Sequence, residues 1–404
     1  MSRPRLAALF TRFALPALLW ALLPPSGARA DDGYMLARAP LEGMKVAQTS
    51  PHGAVSLPDL TNFETGANVK AMVLIGDNLW LGLPNGLIRY NVASYDDHEI
   101  FTVESTARTD ARGNPVPGLL ANGIYALDKG PDGSLWISTY GGGLTRYDGK
   151  TWTTYTPPQL ADRWAYDVEF ARDGGMWVAT WKGASYFNGK KFVTYGEKDG
   201  LVDKWVYDIE IAPNGWVWMG TEGGISVFDG KKFHNFTHRD GLGADIPEPD
   251  RKPMPPAESR HHQTQGKANQ GYNPNYVLAI RFTPDGAAWI GTWGAGLSRF
   301  HKGQWQTYTT RDGLGGNFVH ALEVDPNGIL WAATDGGVSY LKGGKWTTIT
   351  TRDGLLDDNV FSLLFQPDGT RWIGTWKGLS KVAPTRPAGH PAPSGHPAPA
   401  HPKG

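Results

Sequence analysis

Short runs in which apolar and polar side chains alternate recur along most of this chain, as in Tyr207-Asp208-Ile209-Glu210-Ile211, Leu278-Ala279-Ile280-Arg281-Phe282 and Phe361-Ser362-Leu363-Leu364-Phe365. A period near two over about five residues predicts a strand with one buried face. Most of these runs lead into a Pro-Asp-Gly or Pro-Asn-Gly turn. A strand carrying a tryptophan follows, then a glycine-rich loop, a third strand, a second tight turn and a fourth strand. Pro131 to Thr156 shows the sequence of parts: Asp132-Gly133, Trp136, Gly141-Gly142-Gly143, Asp148-Gly149, then Trp152 and Tyr155. Asn-Gly and Asp-Gly pairs at this spacing are hairpin signals, and no long helical period competes with them.

The tryptophans after the first turn count the copies: Trp80, Trp136, Trp177, Trp218, Trp289, Trp331 and Trp372, spaced by about 41 residues except before Trp136 and Trp289, where extra residues intervene. Four antiparallel strands repeated at this period fit a propeller blade, and radial closure leaves only short protected edges. The fold expected is all-β, a seven-bladed β-propeller of four-stranded antiparallel blades over residues 57–382. The last unit ends at Lys381-Val382 without an outer strand. Leu60-Thr61-Asn62-Phe63-Glu64 aligns with the outer strands at Trp305 to Thr309 and Trp346 to Thr350. Leu57 to Glu64 is therefore expected to cross over, complete blade seven and close the ring. The seven strand tryptophans are assigned to core packing.

The flanks differ. Residues 1–30 carry Arg3, Arg5 and Arg12, an apolar run from Phe13 to Leu23, and Ala28-Arg29-Ala30. This reads as a secretory signal peptide in preference to an uncleaved anchor, because the run is short for a span and a small-residue cleavage site follows it. The protein expected is periplasmic or secreted. Residues 31–56 show no pattern and are expected to form a flexible lead-in. Residues 383–404 form a Pro- and His-rich tail that cannot bury enough apolar surface to fold. Its His390, His396 and His401 are read as part of a solvated tail in preference to a metal site, since nothing fixes their geometry.

Composition narrows the class further. With no cysteine, neither a disulfide framework nor a lipoprotein anchor is available. Removal of the signal peptide leaves 35 basic and 39 acidic residues, a mildly acidic protein for which nucleic acid is not an expected partner.

Antiparallel order places both tight turns of each blade on one face. The loop into the inner strand and the loop between the second and third strands lie on the other. The tight-turn face carries a structural set of Pro-Asp-Gly and Pro-Asn-Gly turns. The opposite face collects aromatic residues: Trp164, Trp205, Tyr276 and Phe318 at the starts of inner strands, and Tyr140, Trp181, Trp293 and Trp376 in the other loops. Both long insertions, Val103 to Ala121 and Gly243 to Asn275, lead into inner strands and are expected to overhang this face. Arg163, Lys182, Lys204, Lys377, Glu222 and Asp335 interleave with the rings. Aromatic faces beside directional polar groups suit glycans, peptides or aromatic metabolites. The alternative for each ring is packing between neighbouring blades.

Catalytic signals are weak. Asp167 and Asp208 hold equivalent inner-strand positions in adjacent blades. They are read as bonding to neighbouring backbone, with a Ca²⁺ or Mg²⁺ site as the alternative. Ala126, Ala279 and Ala321 stand at the same place in other blades. His261, His262 and His320 read as polar contacts more readily than as general bases. No Gly-x-Ser-x-Gly elbow, phosphate loop or HExxH is present.

The repeat in Asn317-Phe318-Val319-His320-Ala321-Leu322-Glu323, Pro326-Asn327-Gly328-Ile329-Leu330-Trp331, Thr334-Asp335-Gly336-Gly337-Val338, Trp346-Thr347-Thr348 and Thr351-Arg352-Asp353-Gly354-Leu355 resembles the two-component regulator propeller repeat, over about residues 57–382. The resemblance implies periplasmic sensor domains of hybrid histidine kinases, often built as two rings, that recognise ligands such as oligosaccharides. This sequence shows one ring and neither a later membrane helix nor a kinase, so signalling is expected to need a membrane sensor partner. The preferred function is non-enzymatic: a ligand-binding or sensor-type propeller for a small molecule, glycan or peptide. The chain also resembles streptogramin lyases in its Gly-x-x-Trp blades. That second resemblance implies a lyase or hydrolase with His320, Glu222 and Asp335 as acid-base groups. A third reading is a scaffold for envelope-protein assembly.

Overall fold

The computed structural model describes residues 43–384 other than 56, 58, 110, 111, 114, 117 and 253–270. The expected signal peptide, nearly all of the tail, His261 and His262 lie outside the described residues.

Seven antiparallel meanders form a seven-bladed β-propeller. The inner strands are Ala71–Ile75, Ile124–Lys129, Ala165–Phe170, Val206–Ile211, Asn273–Phe282, Val319–Val324 and Val360–Phe365, and they contact one another in a closed cycle. The blades are numbered 1 to 7 in that order. In blade 7, Arg371–Thr375 and Gly378–Val382 follow the inner strand, and the outer place is taken by Leu60–Glu64. Leu60 stands opposite Val382 and Glu64 opposite Gly378.

Polar bonds add to the ladder at this junction. The Asn62 amide donates to Thr49 Oγ1 and to the Gly354 carbonyl, both at 2.9 Å, and accepts from Ser380 Oγ at 2.6 Å. Lys45–Ala47 adds a fifth strand, with Lys45 opposite Glu64, so this part of the expected lead-in has defined pairing.

All seven strand tryptophans are buried. Most wedge between blades: Trp80 meets Tyr147 of blade 2, Trp136 meets Phe170 of blade 3, Trp177 meets Phe228 of blade 4, and Trp331 meets Phe365 of blade 7. Trp372 packs with Met72, Leu79 and Leu81 of blade 1, which seals the last blade to the first. A large flat ring at one place in every blade gives each inter-blade seam the same apolar filling.

The corners between blades also follow from a repeated local sequence. In Thr309-Thr310-Arg311-Asp312-Gly313-Leu314, Asp312 Oδ2 accepts from the Thr309 amide at 2.8 Å and from its hydroxyl at 3.1 Å. This closes a single 3₁₀ turn. Gly313 then takes a φ of +96°, which an L side chain resists, and Leu314 drops into the core.

Candidate functional site

On the face opposite the tight turns, the loop between second and third strands is pinned in most blades by one bond. Thr139, Thr180, Thr292 and Thr334 hydroxyls donate to the carbonyls of Gly143, Gly183, Gly296 and Gly337, each at 2.7 Å. Gly183, at φ +106°, lies so close to the Tyr195 carbonyl that a Cβ would collide with it. These fixed loops present Tyr140, Trp181 and Trp376 at the rim. Tyr140 meets Trp164 edge to face at 4.3 Å, and Trp164 stacks on Trp181 at 4.6 Å and 12°. Trp205 continues the run into blade 4, with Lys204 Nζ 5.2 Å from its ring centre. Tyr140, Trp164, Trp181, Trp205 and Trp376 are half-buried, and Arg163, Lys182, Lys204 and Lys377 are exposed.

Aspartates set the loops into the inner strands. Asp162 Oδ1 accepts from the Trp164 amide at 3.1 Å while its other oxygen holds Lys182 at 3.3 Å. Asp203 Oδ1 accepts from the Trp205 amide at 2.8 Å. Asp357 binds the Asn359 amide at 2.9 Å and Lys377 at 3.0 Å. The recurring Asp-x-aromatic spacing was the available signal for Asp162 and Asp203, which residue-type reasoning passed over.

The other three of the eight expected rings are closed to solvent. Tyr276, Trp293 and Phe318 are only 2–5% exposed and pack on one another, Tyr276 on Trp293 at 5.4 Å and Trp293 on Phe318 at 5.0 Å. For these three, packing is what the structure shows. Glu222 is buried beside them, and its carbonyl accepts from Asn273. Described parts of the second insertion cover this side: Ala244 and Tyr272 are bonded to each other, and Lys252 Nζ reaches Asp335 Oδ2 at 2.6 Å.

The first insertion does not overhang the rim as expected. It runs along the outer edge of blade 2, where Thr154 donates to the Gly118 carbonyl and Arg108 to the Lys150 carbonyl in a tight turn. Leu119 draws it there by packing with Phe101 and Trp152.

A central channel of about 320 Å³ runs between the inner strands. Tyr125, Tyr166 and Tyr207, with His320, Phe361 and Lys70, line it at the rim end, and Lys70 Nζ lies 5.1 Å from the Tyr125 ring centre and 4.9 Å from that of Phe361. Burial, aided by the Lys70 charge, lowers the His320 pKa to about 3, so its imidazole is neutral at ordinary pH. One step deeper, Asp167 Oδ2 accepts from the Ile209 amide at 2.9 Å and Asp208 Oδ2 from the Ile280 amide at 2.8 Å, each reaching the next blade.

At the tight-turn end stand Asp128, Glu169, Glu210, Arg281 and Glu323, equivalent positions of blades 2 to 6. Arg281 binds Glu210 at 2.6 Å and Glu323 at 3.1 Å and clamps three blades together. Burial raises the pKa of Asp128 and Asp208, in each case with the neighbouring Asp167 charge adding to it. Burial, then the Glu210 and Asp167 charges, pushes Glu169 up to about 8. This tier was missed from sequence because each acid, read alone, looks like one polar position of an alternating strand. Among the described residues no three His, Cys, Asp or Glu side chains are grouped to hold a metal ion.

Residues 313–336 match the two component regulator propeller family. The extracellular domain of the hybrid two component system BT3049 from B. thetaiotaomicron superposes with a TM-score of 0.60 at 18% identity, covering 86% of this chain and 42% of that domain. The chain thus spans less than half the length of that relative. A catalytically inactive virginiamycin B lyase from Staphylococcus aureus with quinupristin gives 0.56 at 12% identity, over 85% of this chain and 99% of the lyase. PorZ, a surface component of the type-IX secretion system of Porphyromonas gingivalis, gives 0.54 at 15% identity, over 84% and 48%. No curated protein sequence matches significantly. At these identities the likeness is one of fold. The chain is a seven-bladed β-propeller bearing a two component regulator propeller repeat.

Proposed function

We propose that this chain is an exported, non-enzymatic sensor-type propeller. It recognises a small molecule, glycan or peptide on its aromatic rim and relays binding to a membrane sensor partner. The observation that carries this reading is the half-buried run Tyr140, Trp164, Trp181 and Trp205 flanked by exposed Arg163, Lys182 and Lys204. Ring faces give a flat apolar platform, and the cations beside them supply directional donors. Trp376 adds a half-buried ring that packs on Phe361 of the channel wall at 5.8 Å, with exposed Lys377 next to it. Tyr276, Trp293, Phe318 and Glu222 serve as its buried support, with Asp335 held by Lys252. The described residues include no helix long and apolar enough to cross a membrane. The extracellular two component domain of like fold supports the sensor reading by analogy.

Acid-base catalysis is less well supported. His320 lies in the channel wall as a neutral imidazole, whereas Asp335 stands on a rim loop in an ion pair.

The test is a thermal-shift and tryptophan-fluorescence screen against neutral and acidic oligosaccharides, peptides and aromatic metabolites. A ligand that prefers the native state raises its midpoint by mass action. Trp181→Ala should weaken the bound ligand at least about fivefold, since loss of a stacked ring contact removes on the order of 1 kcal/mol or more. Binding unchanged by Trp181→Ala would remove the rim from consideration, and turnover of a hit would favour the lyase reading.

A further inference from the structure

The channel holds more negative than positive charge at its tight-turn end. Blade 2 lines it with Asp128 and the exposed Lys129, blade 3 with Asp167 and blade 4 with Asp208, while Glu169 and Glu210 stand outside the lining but near enough to interact with Asp167. Blade 5 contributes Arg281, and blade 6 His320 and Glu323. Blade 1 brings Lys70 at the rim end, and the blade 7 residues lining the channel, Phe361 to Leu364, carry no charge. Arg281 is already held by Glu210 and Glu323. Asp167 and Asp208 each give one oxygen to a backbone amide. The Arg281 guanidinium also acts on Asp128, Asp167, Glu169 and Asp208, but among the described residues none of these four makes an ion pair, so one cation serves the whole acidic tier.

Two further observations point to a missing occupant. Asp128 Oδ2 and Tyr166 Oη are both buried and have no hydrogen-bond partner among the described residues, and Tyr166 is only 2% exposed. Both residues line the channel. A buried polar atom left unmatched is costly, and for a carboxylate oxygen the partner it lacks is an N–H or O–H donor. The collar shows in the same molecule that it tolerates a cation, since the Lys70 ammonium rests over Tyr125 and Phe361.

We propose that the channel binds a monovalent organic cation, an alkylammonium or guanidinium group, which donates to Asp128, is faced by Asp167 and Asp208, and lies below the aromatic collar of Tyr125, Tyr166 and Tyr207. A divalent metal fits less well, because among the described residues no three carboxylates are grouped to share one. Glu169 adds charge from beside Asp128. Its carboxyl, pushed up to about 8, holds a proton near neutrality that an arriving cation displaces, and the raised Asp128 and Asp208 act in the same sense. Binding therefore strengthens as pH rises. The inference stands apart from the rim reading, since it concerns the other end of the channel.

Isothermal titration of the whole chain with n-butylammonium chloride and with N-acetyl-arginine amide tests it, against sodium chloride and N-acetyl-norleucine amide as controls. Binding by the amine alone assigns the site to free amines, and binding by both includes basic side chains of peptides. Asp128→Asn should weaken binding at least about tenfold. Wild-type affinity should rise severalfold from pH 6 to 8.5, and Glu169→Gln should flatten that rise. Trp181→Ala should leave it unchanged. The Asn and Gln variants remove buried charge and keep shape, and their melting profiles report folding directly. If Asp128→Asn does not fold, the Glu169→Gln pH profile decides alone. Absence of binding above the salt control, or full affinity in Asp128→Asn, overturns the proposal.

Discussion

Glu169 is the side chain whose ionisation should be most visible in the stability of this propeller. Folded, its carboxyl keeps its proton up to about pH 8; unfolded, it ionises near the ordinary 4.5. Its contribution is fully present below pH 4.5 and is lost as pH rises through 8, at a slope of at most about 1.4 kcal/mol per pH unit. His320 acts in the opposite sense. Burial holds it neutral down to about pH 3, so the unfolded chain gains the proton as pH falls below about 6.5 and native stability is lost on that side. Between pH 6.5 and 8.5 the slope is set by the buried carboxyls, Glu169 together with the raised Asp128 and Asp208, all of the same sign. Urea melts across that range should show declining stability in the wild type and a flatter profile in Glu169→Gln; a flat wild-type profile would contradict the burial argument. Trp293 makes a second residue-scale case. It is 2% exposed between Tyr276 and Phe318, so Trp293→Ala should cost about 3–5 kcal/mol in urea unfolding. A loss below about 1 kcal/mol would return that ring to the accessible rim.

Among the elements, the strand Leu60–Glu64 has a part that no other outer strand has. It joins the two ends of the described chain in one sheet, and its edge is covered by Lys45–Ala47. Phe63 is buried in the seam with Trp372 and Leu379, and Asn62 ties the strand to Gly354 and Ser380. Phe63→Ala should destabilise by about 3–5 kcal/mol through cavity formation. The loss should come with faster exchange of the Gly378–Val382 amides, read by hydrogen exchange. A destabilisation without local opening would mean that the ring is held shut by the other seams. The two insertions show a limit of reasoning at this scale. Both enter inner strands, yet one is drawn along the edge of blade 2 by Leu119 and the other over the rim by Lys252. Loop length does not say which apolar or charged anchor wins.

At the scale of the whole molecule, the two ends of the channel differ in chemistry. The rim carries half-buried rings and exposed Arg163, Lys182, Lys204 and Lys377, whereas the tight-turn end carries the carboxylate tier around Arg281. The rim and channel proposals therefore rest on different residues, and Trp181→Ala and Asp128→Asn separate them experimentally.

The fold was legible in the residues themselves. Strand alternation, Asp-Gly or Asn-Gly turns and one tryptophan per unit are local signals that recur along the chain, the tryptophan seven times, so errors in one copy are corrected by the others. Leu60–Glu64 could be matched to outer strands because it carries the same short pattern as Trp346 to Thr350. The site was legible only in part. Tyr140, Trp164 and Trp181 could be placed on one face from antiparallel order alone. That Tyr276, Trp293 and Phe318 are sealed depends on how the insertion leading into Tyr276 packs, which loop length does not reveal. The carboxylate tier has the same origin: Asp128, Glu169, Glu210 and Glu323 lie one per blade, tens of residues apart, and become neighbours only when the ring closes. Local pattern determines strands and turns because their interactions lie within a few residues. Burial and electrostatic coupling sum over neighbours from separate blades, and those were settled by the tertiary structure.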